Sequence, residues 1–350
     1  VKSAVPLSLA EAAFDRHQEL YPPLTHYTGI VSLHALTRLA VIDGGDRLRE
    51  KAREALLPFV RGERMFRCNF ANYQGGGLGT AYLLWQGHLP EAADTVRHYA
   101  EEIMHQAPRD ASGILCHPKD PPAELIWIDV AFAVTPFLLF AGLALEEEAY
   151  VEQAFRQTAG MLEAFHNPET GLYHQSLNFR GPGLLTEDHW SRGNGWGAYA
   201  LTELAVYLPE DHPRRPEALR LYRDHVAACA RYQDPDGLWH QEMTEPLSYV
   251  ETSGSALMLY AIGAGLAAGL LDAGERERFE RGLSGLLPYI TDELDIHHTS
   301  IGCLCPGKGT RLDYMARRPA MNDPHAFGPV ALAFGQAAAL GISRIERSSK

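Results

Sequence analysis

The sequence predicts an all-α fold, a closed α/α toroid in which six helical hairpins supply twelve main helices. Amphipathic helical segments follow one another with almost no alternating strand pattern. The segments also alternate in character: every even-numbered one is rich in Ala, Gly and Leu, and those between mostly carry the charge. A helix that is apolar on all sides is buried and a two-faced helix covers it, so six of each describe an inner ring inside an outer ring. Finally, a loop signature recurs as Ser112-Gly-Ile-Leu-Cys-His117, Thr170-Gly-Leu-Tyr-His-Gln175 and Asp236-Gly-Leu-Trp-His-Gln241. Its glycines lie 58 and 66 residues apart, which is the period of a helical-hairpin repeat.

The first helix is expected from Leu7 to Leu20, closed by Pro22 and Pro23. Thr25 to Ala40 is the second, and Asp46 to Val60, dense in Arg, Lys and Glu, the third. Gly75 to Gln86 is Gly/Ala-rich, while Glu91 to Gln106 carries charge along one side. The sixth helix spans Asp129 to Leu145, and the charged run Glu146 to Phe165 covers it. Gly193 to Leu208 and the basic Arg214 to Tyr232 follow, then Glu251 to Leu271, which is almost free of charge. Glu275 to Ile290 and the small, apolar Asp323 to Leu340 complete the set. Each copy of the loop signature precedes an inner helix, so these loops should gather at one mouth of the toroid.

With 350 residues and 46% hydrophobic content, the chain supports a large core, expected as one domain over residues 1–350 with no linker. A formal net charge of −13 argues against nucleic acid or an anionic membrane as the main partner, because both require a basic face. Five cysteines, of which only Cys303 and Cys305 are close, do not form a disulfide framework and fit a reducing cytoplasm. That pair, near His297 and His298, lacks a standard zinc spacing, and no metal or cofactor is expected. No stretch has the length of an uncharged membrane span, and Val1 to Phe14 lacks a signal-peptide pattern. A cytoplasmic location is the expectation.

Two segments concentrate chemistry. Asp129 sits among Trp127, Ile128, Val130 and Phe132. A carboxylate in such company either has partners or carries a raised pKa, which makes it a proton donor near neutral pH. Asp is also a favoured helix N-cap, and the two readings stand side by side. The second segment, Glu187-Asp-His-Trp-Ser-Arg-Gly-Asn-Gly-Trp-Gly197, places Arg192, Asn194 and Trp196 at alternating positions between glycines. A guanidinium fork suits a carboxylate and an indole face suits a sugar ring. The competing reading is a buried Arg192 tied to Glu187 or Asp188 within a packing motif. Lys119 precedes Asp129 on the incoming loop, and His174 and His240 occupy equal places in their repeats, with binding favoured only for His174. His297, His298 and His325 are read as structural, although Asp323-Pro-His325 opens the last inner helix.

The strings Ile126-Trp-Ile-Asp129, Gly171-Leu-Tyr-His174, Trp190-Ser-Arg-Gly-Asn-Gly-Trp196, Asp236-Gly-Leu-Trp239 and Tyr249-Val-Glu-Thr-Ser-Gly-Ser-Ala256 stand in an informative order and spacing. In both respects the chain resembles the unsaturated rhamnogalacturonyl hydrolases of glycoside hydrolase family 105, relatives of the unsaturated glucuronyl hydrolases of family 88. The resemblance runs from about Thr25 to Gly341 and implies an (α/α)6 barrel. It further implies removal of a terminal 4,5-unsaturated uronic acid from an oligosaccharide by hydrating its double bond. In that reaction Asp129 matches the proton donor and Arg192 the substrate-carboxylate contact. Trp196 and Trp127 match aromatic walls, and His174 and Lys119 further binding positions. One departure stands out: where the family commonly has a second aspartate, this chain reads Phe70-Ala-Asn-Tyr-Gln-Gly-Gly-Gly-Leu-Gly79, so that Asn72 or Gln74 occupies the place. A neutral amide orients water or hydroxyl but cannot act as a base. Glu251, at an inner-helix entrance, is a substitute or a cap. A sugar epimerase of the same architecture and an inactive sugar-binding barrel are the alternative readings.

Overall fold

A computed structural model describes residues 1–66, 76–118, 120–304 and 309–347. In chain order its helices are α1 (Pro6–Leu20), α2 (Tyr27–Asp43), α3 (Asp46–Val60), α4 (Gly77–Trp85), α5 (Ala93–His105), α6 (Asp129–Ala133) and α7 (Thr135–Leu145). They continue as α8 (Glu148–Phe165), α9 (Ser191–Tyr207), α10 (Arg215–Ala230), α11 (Thr252–Ala267), α12 (Glu275–Leu286), α13 (Arg311–Met315) and α14 (Phe327–Ala339). Helix α2 packs on α4, α4 on α7, α7 on α9, α9 on α11, α11 on α14, and α14 returns to α2. That closed ring comprises the six apolar helices expected from the sequence. The charged helices cover it from outside: α1 lies on α14 and α2, α3 on α2, α5 and α8 on α7, α10 on α9, and α12 on α11.

The inner helices are buried along most of their length; in α11, residues from Thr252 to Gly265 are all inaccessible. Glycine makes this packing possible at the α9–α11 crossing. A Cβ on Gly254 would lie 2.6 Å from the Arg192 nitrogen, and one on Gly195 would lie 2.8 Å from the Leu257 Cβ. The two helix starts therefore meet backbone to backbone.

The expected helix from Asp129 to Leu145 is interrupted. It breaks at Val134 into α6 and α7, because Pro136 in the first turn of α7 has no N–H to continue the ladder and its ring would clash with the carbonyl four residues back. The short α6, which starts at Asp129, packs on α9.

The recurrent loops are tight reversals, with Gly113, Gly171 and Gly237 at φ of 87°, 70° and 88°. A fourth copy carries no glycine. Leu294 takes the equivalent place at φ 64° and its N–H donates to Thr291 O at 3.0 Å. Short antiparallel pairs tie the loops together: β1 (Ser3–Ala4) with β6 (Ile345–Glu346), β2 (Ile126–Trp127) with β3 (Ser176–Leu177), and β4 (Thr299–Ser300) with β5 (Pro319–Ala320).

The inner helices start at the mouth formed by these loops. The far end is filled. Arg38, about 16 Å along α2 from Tyr27 at 1.5 Å per residue, lies with its guanidinium carbon 5.2 Å from the Tyr82 ring centre and 5.0 Å from that of Tyr207. Buried Glu203 approaches it at 3.9 Å. Among the described residues, no helix is long and apolar enough to cross a membrane.

Candidate active site

Asp129 opens α6 directly after β2, whose pairing with β3 fixes the approach of the chain, together with the bond from Ile128 N to Gln175 O at 2.9 Å. The side chain is buried, and Oδ2 has no hydrogen-bond partner among the described residues. Burial pushes the carboxyl up to about 8, with Cys303 adding to the effect while Arg192 and Gln175 oppose it. The cap position itself belongs to Ile128, so Asp129 is a first-turn residue rather than the N-cap.

Arg192 lies in the first turn of α9, wholly buried. Its Nη1 donates to Ser253 Oγ at 3.1 Å and to the Ser300 carbonyl, and its plane lies 4.4 Å from the Trp190 ring centre. The other edge, Nε and Nη2, has no partner among the described residues. That edge is a fixed two-pronged donor. The expected alternative, a tie to Glu187 or Asp188, is not what holds it: Glu187 pairs with Arg180 at 2.8 Å, and Asp188 accepts from Trp190 N at 3.3 Å.

Glu251 is a cap, with no capacity to spare. Its carboxylate accepts from the N–H groups of Ser253, Gly254 and Ser300 and from the hydroxyls of Ser191 and Ser253. It thereby joins the starts of α9 and α11 to β4 and fixes the frame in which Arg192 sits.

The remaining expected residues separate. Trp127 is stacked on His117, with ring centres 4.4 Å apart. Trp196 lies deeper than a sugar-binding wall would, 1% exposed with Phe132 stacked on it at 3.9 Å. Asn194 meets backbone rather than a cleft: it accepts from Tyr173 N at 2.8 Å and donates to the carbonyls of Tyr173 and Trp190. It thus clamps the Gly171 loop onto α9. His174 is half-buried with its ring centre 4.8 Å from that of His189; burial, then His189, lowers its pKa. His240 Nδ1 donates to the Ser248 carbonyl at 2.5 Å, within its own loop. Lys119, Asn72 and Gln74 lie outside the described residues.

The structure also brings residues to Asp129 that sequence reasoning passed over. Gln175 is buried, and its Oε1 accepts from the Tyr314 hydroxyl. Its signal was visible, since a glutamine ends two of the three loop signatures. Tyr27, at the start of α2, is close enough to Asp129 and Arg192 to feel both charges. Its hydroxyl lies 2.5 Å from His325 Nε2, a bond across the seam between the first and last inner helices. No local pattern marks that contact.

The family model described as Glycosyl Hydrolase Family 88 matches residues 10–340. The chain belongs to glycosyl hydrolase family 88. The motif-based resemblance is borne out by this match and by the relatives of the chain. "Unsaturated rhamnogalacturonyl hydrolase YesR" of Bacillus subtilis is 29% identical over 215 residues, which cover 60% of this chain and 60% of that protein. The match thus spans less than two thirds of that relative's length. Two solved structures share the fold: a family 105 glycoside hydrolase of C. acetobutylicum, at TM-score 0.80 and 19% identity over 93% of this chain and 98% of that one, and a possible family 105 member from Klebsiella pneumoniae, at 0.79 and 23% over 89% and 82%. The six inner and six covering helices of this family 88 chain thus form an (α/α)6 barrel.

Proposed function

We propose that this family 88 protein removes a 4,5-unsaturated uronic acid from the non-reducing end of an oligosaccharide, with rhamnogalacturonan-type fragments as the favoured class. The observation that carries the reading is a buried carboxyl whose Oδ2 has no partner among the described residues and which burial pushes up to about 8, near enough to feel the charge of buried Arg192, whose Nε/Nη2 edge has no partner among the described residues. The uronate carboxylate docks on that edge of Arg192. Asp129 then protonates C4 of the double bond, and the positive charge generated at C5 is shared with the ring oxygen. Water adds at C5, the resulting hemiketal opens, and the neighbouring sugar leaves with its oxygen protonated. Trp127 and His174 supply binding surface beside this centre and Trp196 backs it through Phe132; Lys119, Asn72 and Gln74, which lie outside the described residues, are assigned to substrate binding by the resemblance alone. The name of the Bacillus subtilis relative supports the rhamnogalacturonyl preference. Cys116 and Cys229 carry free thiols, which suits a reducing compartment, and we place the protein in the cytoplasm.

The double bond absorbs in the near ultraviolet and loses that absorbance on hydration. Lyase-digested rhamnogalacturonan, other pectins and glycosaminoglycans therefore test the proposal directly. The expected result is loss of signal with release of the adjacent sugar, reduced by a factor of about 100 or more in Asp129→Asn. An isomerised product with the double bond intact would point to an epimerase, and saturable binding without turnover to an inactive barrel.

A further inference from the structure

We propose that Gln175 is a positioning residue of the hydration step: its side-chain amide, turned by Tyr314, closes on the carboxylate that Asp129 becomes when its proton leaves; this rests on the hydrolase reading above. The backbone of Gln175 is clamped beside the acid. Its carbonyl accepts at 2.9 Å from the N–H of Ile128, the residue before Asp129, and its own N–H donates to Thr186 Oγ1 at 3.0 Å. The side chain is buried in the same wall.

A short run of hydrogen bonds decides which end of the amide faces the acid. The backbone N–H of Leu304 can only donate, and it donates to Tyr314 Oη at 3.0 Å. The phenol proton is thereby directed away from Leu304 and onto Gln175 Oε1, the acceptor end of the amide. Nε2 is left over. It is buried with no partner among the described residues, and it lies near enough to the Asp129 carboxyl to favour the charged form. The opposite orientation would strand the phenol proton and aim a carbonyl oxygen at a carboxylate. Tyr314 is itself held in place. Thr310 Oγ1 caps α13 by accepting from Asp313 N at 3.1 Å, and the Tyr314 ring lies 5.7 Å from that of Trp190, which carries the Arg192 guanidinium at 4.4 Å. One short helix thus backs both the acid and the arginine.

The amide matters most after the transfer. Asp129 Oδ2 also lacks a partner among the described residues, so this donor and this acceptor are both unspent while the acid keeps its proton. A neutral carboxyl gains little from an amide donor, whereas a buried carboxylate without one is costly. An interaction that strengthens as charge develops speeds the step rather than merely holding the ground state. The titratable and charged groups that face Asp129 among the described residues are Arg192 on α9, Cys303 beyond β4 and Tyr27 at the start of α2. Under the proposed function the unpartnered edge of Arg192 is occupied by the uronate, Cys303 disfavours a charge on Asp129, and the Tyr27 hydroxyl lies 2.5 Å from His325 Nε2. No bond is made or broken at Gln175, and the amide keeps its hydrogens throughout.

The test uses the full chain and an unsaturated uronyl disaccharide, with Gln175→Met, Tyr314→Phe and the double variant compared with wild type across pH. Methionine keeps the length of the side chain and deletes the donor; phenylalanine keeps the ring against Trp190 and frees the amide to turn. The expected result in Gln175→Met is a fall in kcat of roughly 10- to 100-fold near neutral pH with KM nearly unchanged. The alkaline limb of kcat/KM, which reports the free enzyme and in wild type follows Asp129 at about 8, should move to higher pH because the charged form has lost a donor. Tyr314→Phe should move it the same way by less, and should add nothing in the Gln175→Met background. A limb that stays in place in Gln175→Met makes Gln175 a packing residue, and one that moves to lower pH puts the oxygen end of the amide on Asp129; either overturns the proposal. So does a Tyr314→Phe effect that persists without Gln175. Should Gln175→Met fail to fold, Tyr314→Phe, which deletes one oxygen, decides by the same limb. If wild type itself turns over no unsaturated uronide, the hydrolase reading fails first, and NMR titration of the Asp129 carboxyl in the ligand-free proteins still reads the same shift.

Discussion

Burial of Asp129 couples stability, and with it the proposed catalysis, to one proton. In the unfolded chain the carboxyl titrates near its ordinary value of 3.8, and in the folded barrel at about 8, so between these values the folded state binds more protons. Stability from this group is thus fully present below about pH 4 and is lost as pH rises to about 8. Asp129→Asn removes the titration. Its melting temperature should exceed that of wild type by a margin that grows from pH 4 to 8 and then levels, while turnover is lost. An equal melting temperature at pH 8 would place the charged form in a solvated setting. In wild type, kcat should decline above about pH 8 as the donor empties. Arg192→Lys keeps the charge but loses the two-pronged edge, and kcat/KM should drop roughly 10- to 100-fold. An unchanged kcat/KM would remove Arg192 from substrate binding.

The helix starts, rather than the helices as such, place the residues that matter. Glu251 receives five hydrogen bonds from three elements, so Glu251→Ala should cost about 2–4 kcal/mol in denaturant unfolding. Glu251→Gln keeps the shape but offers one acceptor oxygen fewer, and should fall between. Gly254→Ala places a methyl 2.6 Å from the Arg192 backbone nitrogen and should destabilise by about 1–3 kcal/mol while weakening substrate binding by displacing the start of α9 that carries Arg192. Much at this scale was legible. The alternation of apolar and charged helices follows from burial on all sides against burial on one, and it named the inner ring correctly. The three glycines around Arg192 announced close backbone approach. What escaped has physical reasons. Pro136 was available to signal a break, but the apolar run around it masks the boundary. Leu294 hides a fourth loop because its left-handed backbone is held by the surrounding structure rather than by residue type. Trp196 reads as a sugar platform by composition, and only packing shows Phe132 already against it.

At the scale of the whole molecule, α14 must reach back to α2 before the ring exists, so the Tyr27–His325 contact forms only on closure. That dependence explains why no sequence window contained it: its partners are 298 residues apart. It also leads us to expect one cooperative unfolding transition, with helical signal and activity lost together in calorimetry and circular dichroism; two separate transitions would divide the chain into independent units. The plug at the far end has its own consequence. Arg38, walled by Tyr82 and Tyr207 and met by Glu203, turns the barrel into a blind shaft. A polymer cannot thread through it and slide; it can only put one tip in and back out. Under the proposed function it would shorten a chain by one unit from an end that another enzyme has already exposed, and the newly trimmed tip, lacking the alkene, would no longer be a substrate.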